Sequence, residues 1–221
     1  MTCIKIKYLL IHCDEHKERE TNIEKNKLTL NKEIQIFKGF YTKQNSILKD
    51  DIVAFLKTHD TNLTMEQLSF WKSGEIGCYL SHHNIIRDIM ISLPKNDYTV
   101  IFEDDVTFKE TLHEDIEKII NNLNNLDIDW DVIFLGNITS NHKIQVIDNI
   151  YTVDEDNVCT GTHALLINNK NAEKIYKIIC NIVHAIDFQY KINIDNKNLN
   201  GFTIYPSLCY QQNDIYISNI Q

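Results

Sequence analysis

Little in this sequence is stiff, hinged or basic. Two prolines and six glycines in 221 residues exclude collagen-like, linker-rich and low-complexity organisation. Arginine occurs only at Arg19 and Arg87, and the formal net charge is −9 with a pI near 5.4. Nucleic-acid binding draws on many clustered cations, so no nucleic-acid partner is expected. No run approaches the ~20 apolar residues of a membrane span, so any membrane contact is expected to be peripheral. The apolar stretch from Ile4 to Ile11 is short and runs straight into His12-Cys13-Asp14-Glu15. That does not read as a signal peptide, and the expectation is a soluble, cytoplasmic protein. Among the six cysteines, Cys3, Cys13, Cys78, Cys159, Cys180 and Cys209, there is no C-x-x-C pair. A zinc finger or ribbon is disfavoured, and free core thiols are expected.

What is present is globular composition, 43% apolar and 24% charged, in a chain of a size that suits one domain over residues 1–221. Lys5–Cys13, Tyr98–Phe102 and Trp130–Leu135 are short continuous apolar runs of the kind that form strands buried on both faces. Glu33–Phe40 alternates and Val158–Ile167 contains Gly161; both read as strands. Helical spacing marks Ile47–Thr58, Gly74–Leu93, Thr111–Leu126 and Asn169–Val183, with Asp14–Lys27 helical in character and Thr61–Ser73 a connector. Thr111-x-x-Glu114 resembles a capping box. Strands alternating with helices predict an α/β fold, a mostly parallel central sheet with helices on both faces.

Two clusters could carry chemistry. Glu103-Asp104-Asp105 follows the apolar strand directly, at the strand end where open α/β sheets bind ligands. Three adjacent acids repel by on the order of 4 kcal/mol per close pair. A divalent cation held by oxygen ligands relieves this, and so does water around a solvated turn. The second cluster is Gly74 to His83. Helical spacing sets Glu75, Cys78 and His82 near one face, either as metal ligands or as a polar face packed beneath a site. Glu75 and His82 are about 10.5 Å apart along such a helix, too far to share one ion.

Taken together, EIGCYLSH (Glu75–His82), VIFEDDV (Val100–Val106), WDVIFLG (Trp130–Gly136), GTHA (Gly161–Ala164) followed by Asn171-Ala172, and YPSL (Tyr205–Leu208) with Gln211-Gln212 resemble glycosyltransferase family 25. In that family's opening segment several arginines are usual, and here Arg19 alone stands. The resemblance implies a GT-A fold, Rossmann-like, and a metal-dependent inverting transfer of a hexose, galactose or glucose, from a nucleotide-diphosphate sugar to a glycan or hydroxylated protein acceptor. UDP-sugar is the implied donor and Mn²⁺ or Mg²⁺ the implied cofactor, with lipopolysaccharide-type glycan biosynthesis as a setting. It further implies Asp105 and Glu103 as metal ligands, and Glu103, Asp104, Arg19, Gly161 and Thr162 as donor contacts. Asp187 is the first candidate for the general base and Glu75 the second; the surface-acid reading of Asp187 stays open. Two other functions also stay open: a non-catalytic relative that binds sugar nucleotide or glycan, and a metal-dependent phosphohydrolase.

Overall fold

The computed structural model describes residues 4–41, 72–92, 96–137, 144–153, 161–180 and 182–212. The helix expected at 47–58, nearly all of the connector, Cys3 and Cys159 lie outside these residues. An eight-stranded sheet is built from β1 (Ile6–His12), β2 (Ile34–Lys38), β3 (Tyr98–Glu103), β5 (Val132–Phe134), β6 (Gln145–Ile147), β7 (Ile150–Thr152), β8 (Ala164–Asn168) and β9 (Gly201–Ile204), in the order β2-β1-β3-β8-β5-β9-β7-β6. β1 pairs in parallel with β2 and β3, and β5 with β9, while β8 lies antiparallel between β3 and β5. The strands β2, β1, β3, β5 and β9 thus share one direction. A second, two-stranded ribbon pairs β4 (Val106–Phe108) with β10 (Cys209–Gln211).

The apolar runs form strands because both of their faces are covered. Along β1, Leu9 and Ile11 enter one core while Tyr8 and Leu10 enter the other; along β3, Ile101 faces the first and Val100 and Phe102 the second. This is the period-two alternation of a strand between two layers. On one side lie α2 (Ser73–Ile91), α4 (Ala172–Ile179) and α5 (Ile186–Asp195), contributing Tyr79, Ile86, Ile175 and Tyr190. On the other lie α1 (Glu20–Leu30) and α3 (Leu112–Asn125), the latter burying Leu112, Ile116, Ile119, Ile120 and Leu123. The expected α/β architecture, with helices on both faces, is therefore the observed one.

Several boundaries differ from expectation. The helix read from Asn169 to Val183 begins as a 3₁₀ turn and ends at Ile179. Gly161 precedes β8 rather than sitting inside it. Thr111 makes no capping hydrogen bond; its hydroxyl donates to Asp115 Oδ2 at 2.9 Å. Asp131 is wholly buried, and it accepts hydrogen bonds from Lys174 Nζ at 2.5 Å and the Asn200 backbone at 2.7 Å. That carboxylate ties the start of β5 to α4 and to the entrance of β9. The four described cysteines, Cys13, Cys78, Cys180 and Cys209, are free thiols. Among the described residues no helix is long and apolar enough to cross a membrane.

Candidate active site

The acidic triplet leaves the sheet where β3 ends. Register pairs Ile11 with Glu103, which sets His12 beside the turn that holds Asp104. His12 Nδ1 donates to Asp104 Oδ2 at 2.8 Å, His16 Nδ1 lies 3.6 Å from the same oxygen, and Arg19 bonds Asp104 Oδ1. Burial alone would push the Asp104 carboxyl up. The His16 ring, the Arg19 charge and the His12 bond outweigh it and hold the group below the usual carboxylate range. Asn22 Nδ2 adds bonds to the carbonyls of Asp104 at 3.0 Å and Val106 at 2.8 Å. The turn is therefore cross-braced from the β1–α1 segment, some 85 residues earlier in the chain.

Asp105 is equally buried and less well served. Arg19 Nη1 is 3.3 Å away and Gln211 Nε2 donates to Oδ2 at 3.1 Å, while Oδ1 is buried with no hydrogen-bond partner among the described residues. Burial first, then the neighbouring Glu103, pushes its pKa up to about 6 despite Arg19. Between about pH 4 and 6 the folded chain keeps a proton on Asp105 that the unfolded chain has already released. Stability falls as pH rises through that window and levels off above it. In metal-free protein Asp105→Asn is accordingly expected to gain about 3 kcal/mol at neutral pH, the free energy carried by a carboxyl raised from 3.8 to about 6. Urea melts of both proteins across the window check this. A variant less stable than wild type at neutral pH would contradict it.

Glu103 has a different set of partners. Its Oε1 accepts from Thr162 Oγ1 at 2.7 Å and from the Cys78 thiol at 3.6 Å, and His82 Nε2 stands 3.5 Å off. Burial would raise this carboxyl, yet His82 and Thr162 hold it below the ordinary range. Thr162 and His163 reach this edge because β8 runs against β3, and Glu103 N donates to the His163 carbonyl at 3.0 Å. A cavity of about 190 Å³ opens here, lined among others by Glu75, Cys78, Glu103, Thr162, Asp187 and Gln211. That is below the ~300–1,000 Å³ of a drug-sized ligand site and suits one moiety of a larger ligand.

Asp187 sits in the first turn of α5, a helix absent from the sequence reading. Its Oδ1 accepts the Phe188 backbone N–H at 2.8 Å, and the Gly161 backbone N–H also faces the carboxyl. Burial raises its pKa all the same. Gly161 holds φ 101°, in the left-handed region where a side chain would be strained. Glu75 lines the same cavity from the first turn of α2, where its Oε2 accepts the Lys72 backbone N–H at 3.0 Å.

The candidate residues thus fall into two adjoining groups. Glu75, Glu103, Gly161, Thr162 and Asp187 share the cavity, and Arg19, Asp104 and Asp105 pack beside it around the acidic turn. Arg19 is only 5% exposed and meets the turn's carboxylates from below. His12, His16 and Gln211 were not singled out by their chemistry. Gln211 belongs to the YPSL…QQ segment, which the β4–β10 pairing lays alongside the turn.

A family model described as glycosyltransferase family 25 (LPS biosynthesis protein) matches residues 5–190. Human procollagen galactosyltransferase 2 is 23% identical over 153 residues, 62% of this chain and 24% of that protein. Mouse inactive glycosyltransferase 25 family member 3 is 31% identical over 106 residues, 48% of this chain and 17% of that one. The chain therefore spans about a quarter or less of the length of these relatives. Among solved structures, Staphylococcus aureus TarS residues 1–349 in complex with UDP-GlcNAc aligns with a TM-score of 0.51 at 12% identity, covering 94% of this chain and 58% of that one. That likeness concerns the fold, which is of the GT-A type. With the family's motifs gathered along one edge of that fold, and 5–190 of 221 residues matched, the chain belongs to glycosyltransferase family 25.

Proposed function

We propose that this chain is a metal-dependent, inverting hexosyltransferase that takes galactose or glucose from a UDP-sugar to a hydroxyl of a glycan or a hydroxylated protein. The observation that carries the reading is the convergence of Glu75, Glu103, Gly161, Thr162 and Asp187 on one cavity beside the acidic turn. These residues come from four separate segments, and each lies in a family motif or at the place of the family's late Asp. The names of the relatives, galactosyltransferases among them, and the UDP-GlcNAc of the TarS complex agree with a nucleotide-sugar donor.

The acidic turn fits a hard divalent cation, Mn²⁺ or Mg²⁺. Asp105 Oδ1 is a buried carboxylate oxygen without a partner among the described residues, and oxygen is the donor such ions prefer. Asp105 and Glu103 would hold the ion, which when bound stabilises the charge developing on the nucleoside diphosphate leaving group. Asp104 is already engaged by His12 and Arg19 and supports the turn. Thr162 fixes Glu103 through its hydroxyl. Asp187 accepts the proton of the acceptor hydroxyl. Glu75 caps α2 and forms the cavity wall.

A second reading, a donor-binding relative without turnover, draws on Arg19, which already offsets part of the turn's charge, and on His12, which bonds Asp104. Assays of UDP-galactose and UDP-glucose with Mn²⁺, with and without excess EDTA, separate the readings. A transferase cleaves donor slowly without acceptor and loses this activity in EDTA. Undiminished turnover in EDTA overturns the metal, preference for simple phosphoesters points to a phosphohydrolase, and binding without cleavage points to the inactive relative.

A further inference from the structure

We propose that Cys78, His82 and Glu103 form a Zn²⁺ site, which shares the Glu103 carboxylate with the proposed hard-cation position at Asp105 and differs from it in its soft ligands. Their ligand atoms lie within 4.8 Å of one another. Cys78 and His82 stand one turn apart on α2, so both reach the same spot, and Glu103 meets them from the end of β3. A tetrahedral Zn²⁺ with sulfur at about 2.3 Å and nitrogen or oxygen at about 2.0 Å separates its ligands by roughly 3.3–3.5 Å. The observed separations from Glu103 Oε1 are 3.6 Å to Cys78 Sγ and 3.5 Å to His82 Nε2. Two of the three edges are thus already close to those of such a tetrahedron, and the third, between Cys78 and His82, lies within 4.8 Å.

The imidazole supplies an independent observation. His82 is 0% exposed, and neither of its ring nitrogens makes a hydrogen bond among the described residues. A buried imidazole so placed, with Nε2 3.5 Å from the Glu103 carboxylate, has the chemistry of a metal ligand. The combination of thiolate, imidazole and one carboxylate selects Zn²⁺ over Mg²⁺ or Mn²⁺. Thr162 Oγ1, 2.7 Å from Glu103 Oε1 and 3.7 Å from Cys78 Sγ, supports the set from outside. Three protein ligands leave a fourth position, and Cys78 and Glu103 both line the cavity, so that position opens there. On binding, the Cys78 S–H bond breaks, the sulfur lone pair goes to the metal and the proton leaves to solvent.

The test is a Co²⁺ titration of the full chain after chelation and desalting, followed by displacement with Zn²⁺. One Co²⁺ per chain is expected, with a thiolate-to-cobalt charge-transfer band in the near ultraviolet, intense tetrahedral visible bands and release of one proton. Cys78→Ser should abolish the charge-transfer band, and His82→Gln should weaken binding by on the order of 100-fold, at least the cost of losing a supporting group. Asp105→Asn should leave the band intact. Circular dichroism confirms that each variant is folded. The wild-type titration decides by itself if a variant is not: the absence of a thiolate band overturns the site. A band that survives in folded Cys78→Ser also overturns it, by assigning the metal to another cysteine.

Discussion

Asp187→Asn is expected to lower the rate of sugar transfer by about 10² to 10⁴-fold, the usual worth of a positioned general base, while donor affinity changes little. The carboxyl opens on the cavity, and burial raises its pKa above that of a free aspartate, toward the range where a carboxylate accepts a proton effectively. The base works only when ionised, so the wild-type rate should rise with pH through that elevated pKa, and the acid limb should vanish in the asparagine variant. Asparagine keeps the volume and an oxygen for the Phe188 and Gly161 N–H groups, which keeps the first turn of α5 in place. Transfer rates across pH and donor titration by calorimetry decide the matter. Parallel losses of rate and donor affinity would move Asp187 into donor binding. An unchanged rate would make it a surface acid and pass the role to Glu75.

The largest effect on stability is expected from Arg19→Met, about 3–5 kcal/mol, which is the cost of leaving a buried carboxylate without its partner. Arg19 bonds Asp104 and stands 3.3 Å from Asp105, so one guanidinium serves two buried acids. Arg19→Lys should rescue poorly, because a single ammonium cannot reproduce the planar fork. The pH dependence has a definite sign. Asp104 is held below its ordinary pKa, so its contribution is complete at neutral pH and is lost as pH falls through that lowered value. The gap between wild type and Arg19→Met should therefore narrow in acid. Urea melts at neutral and acidic pH measure both points. A loss under about 1 kcal/mol at neutral pH, the worth of an exposed pair, would mean that His12 and His16 suffice for Asp104.

Continuous apolar runs made β1 and β3 legible in the sequence, a clear apolar stripe did the same for α3, and apolar residues at helical spacing, Tyr79, Ile86 and Met90 among them, did so for α2. The β6–β7 hairpin escaped because its strands are three residues each, although Asp148-Asn149 between Ile147 and Ile150 is turn chemistry and Asp148 adopts φ 47°. α5 escaped because its buried face includes Gln189 and Lys191 beside Ile186, Tyr190 and Ile194, which blurs the apolar period. In the site, Glu103, Asp105 and Asp187 were found through motif and strand end. The shortage of partners around the triplet was an illusion of sequence distance: the Arg19 charge and the His12 hydrogen bond come from 85 and 92 residues away, with Gln211 arriving 106 residues later. Glu75 lies too far along the helix to join His82, and the grouping of Cys78 and His82 with Glu103 was not legible because only the fold brings Glu103 to the helix.

The reversal of β8 has a kinetic meaning. β3 and β5 are consecutive strands of the large sheet but share no ladder; β8, which follows them both, lies between them and pairs with each. The half-sheets β2-β1-β3 and β5-β9 are therefore separate units until β8 threads between them, closing loops that cost entropy before any ladder bond forms. Gly161, Thr162 and His163 ride on the leading end of that strand. The cavity thus takes shape with the final zipping of the sheet, so amide protection along β8 should report when a refolding chain acquires its binding edge.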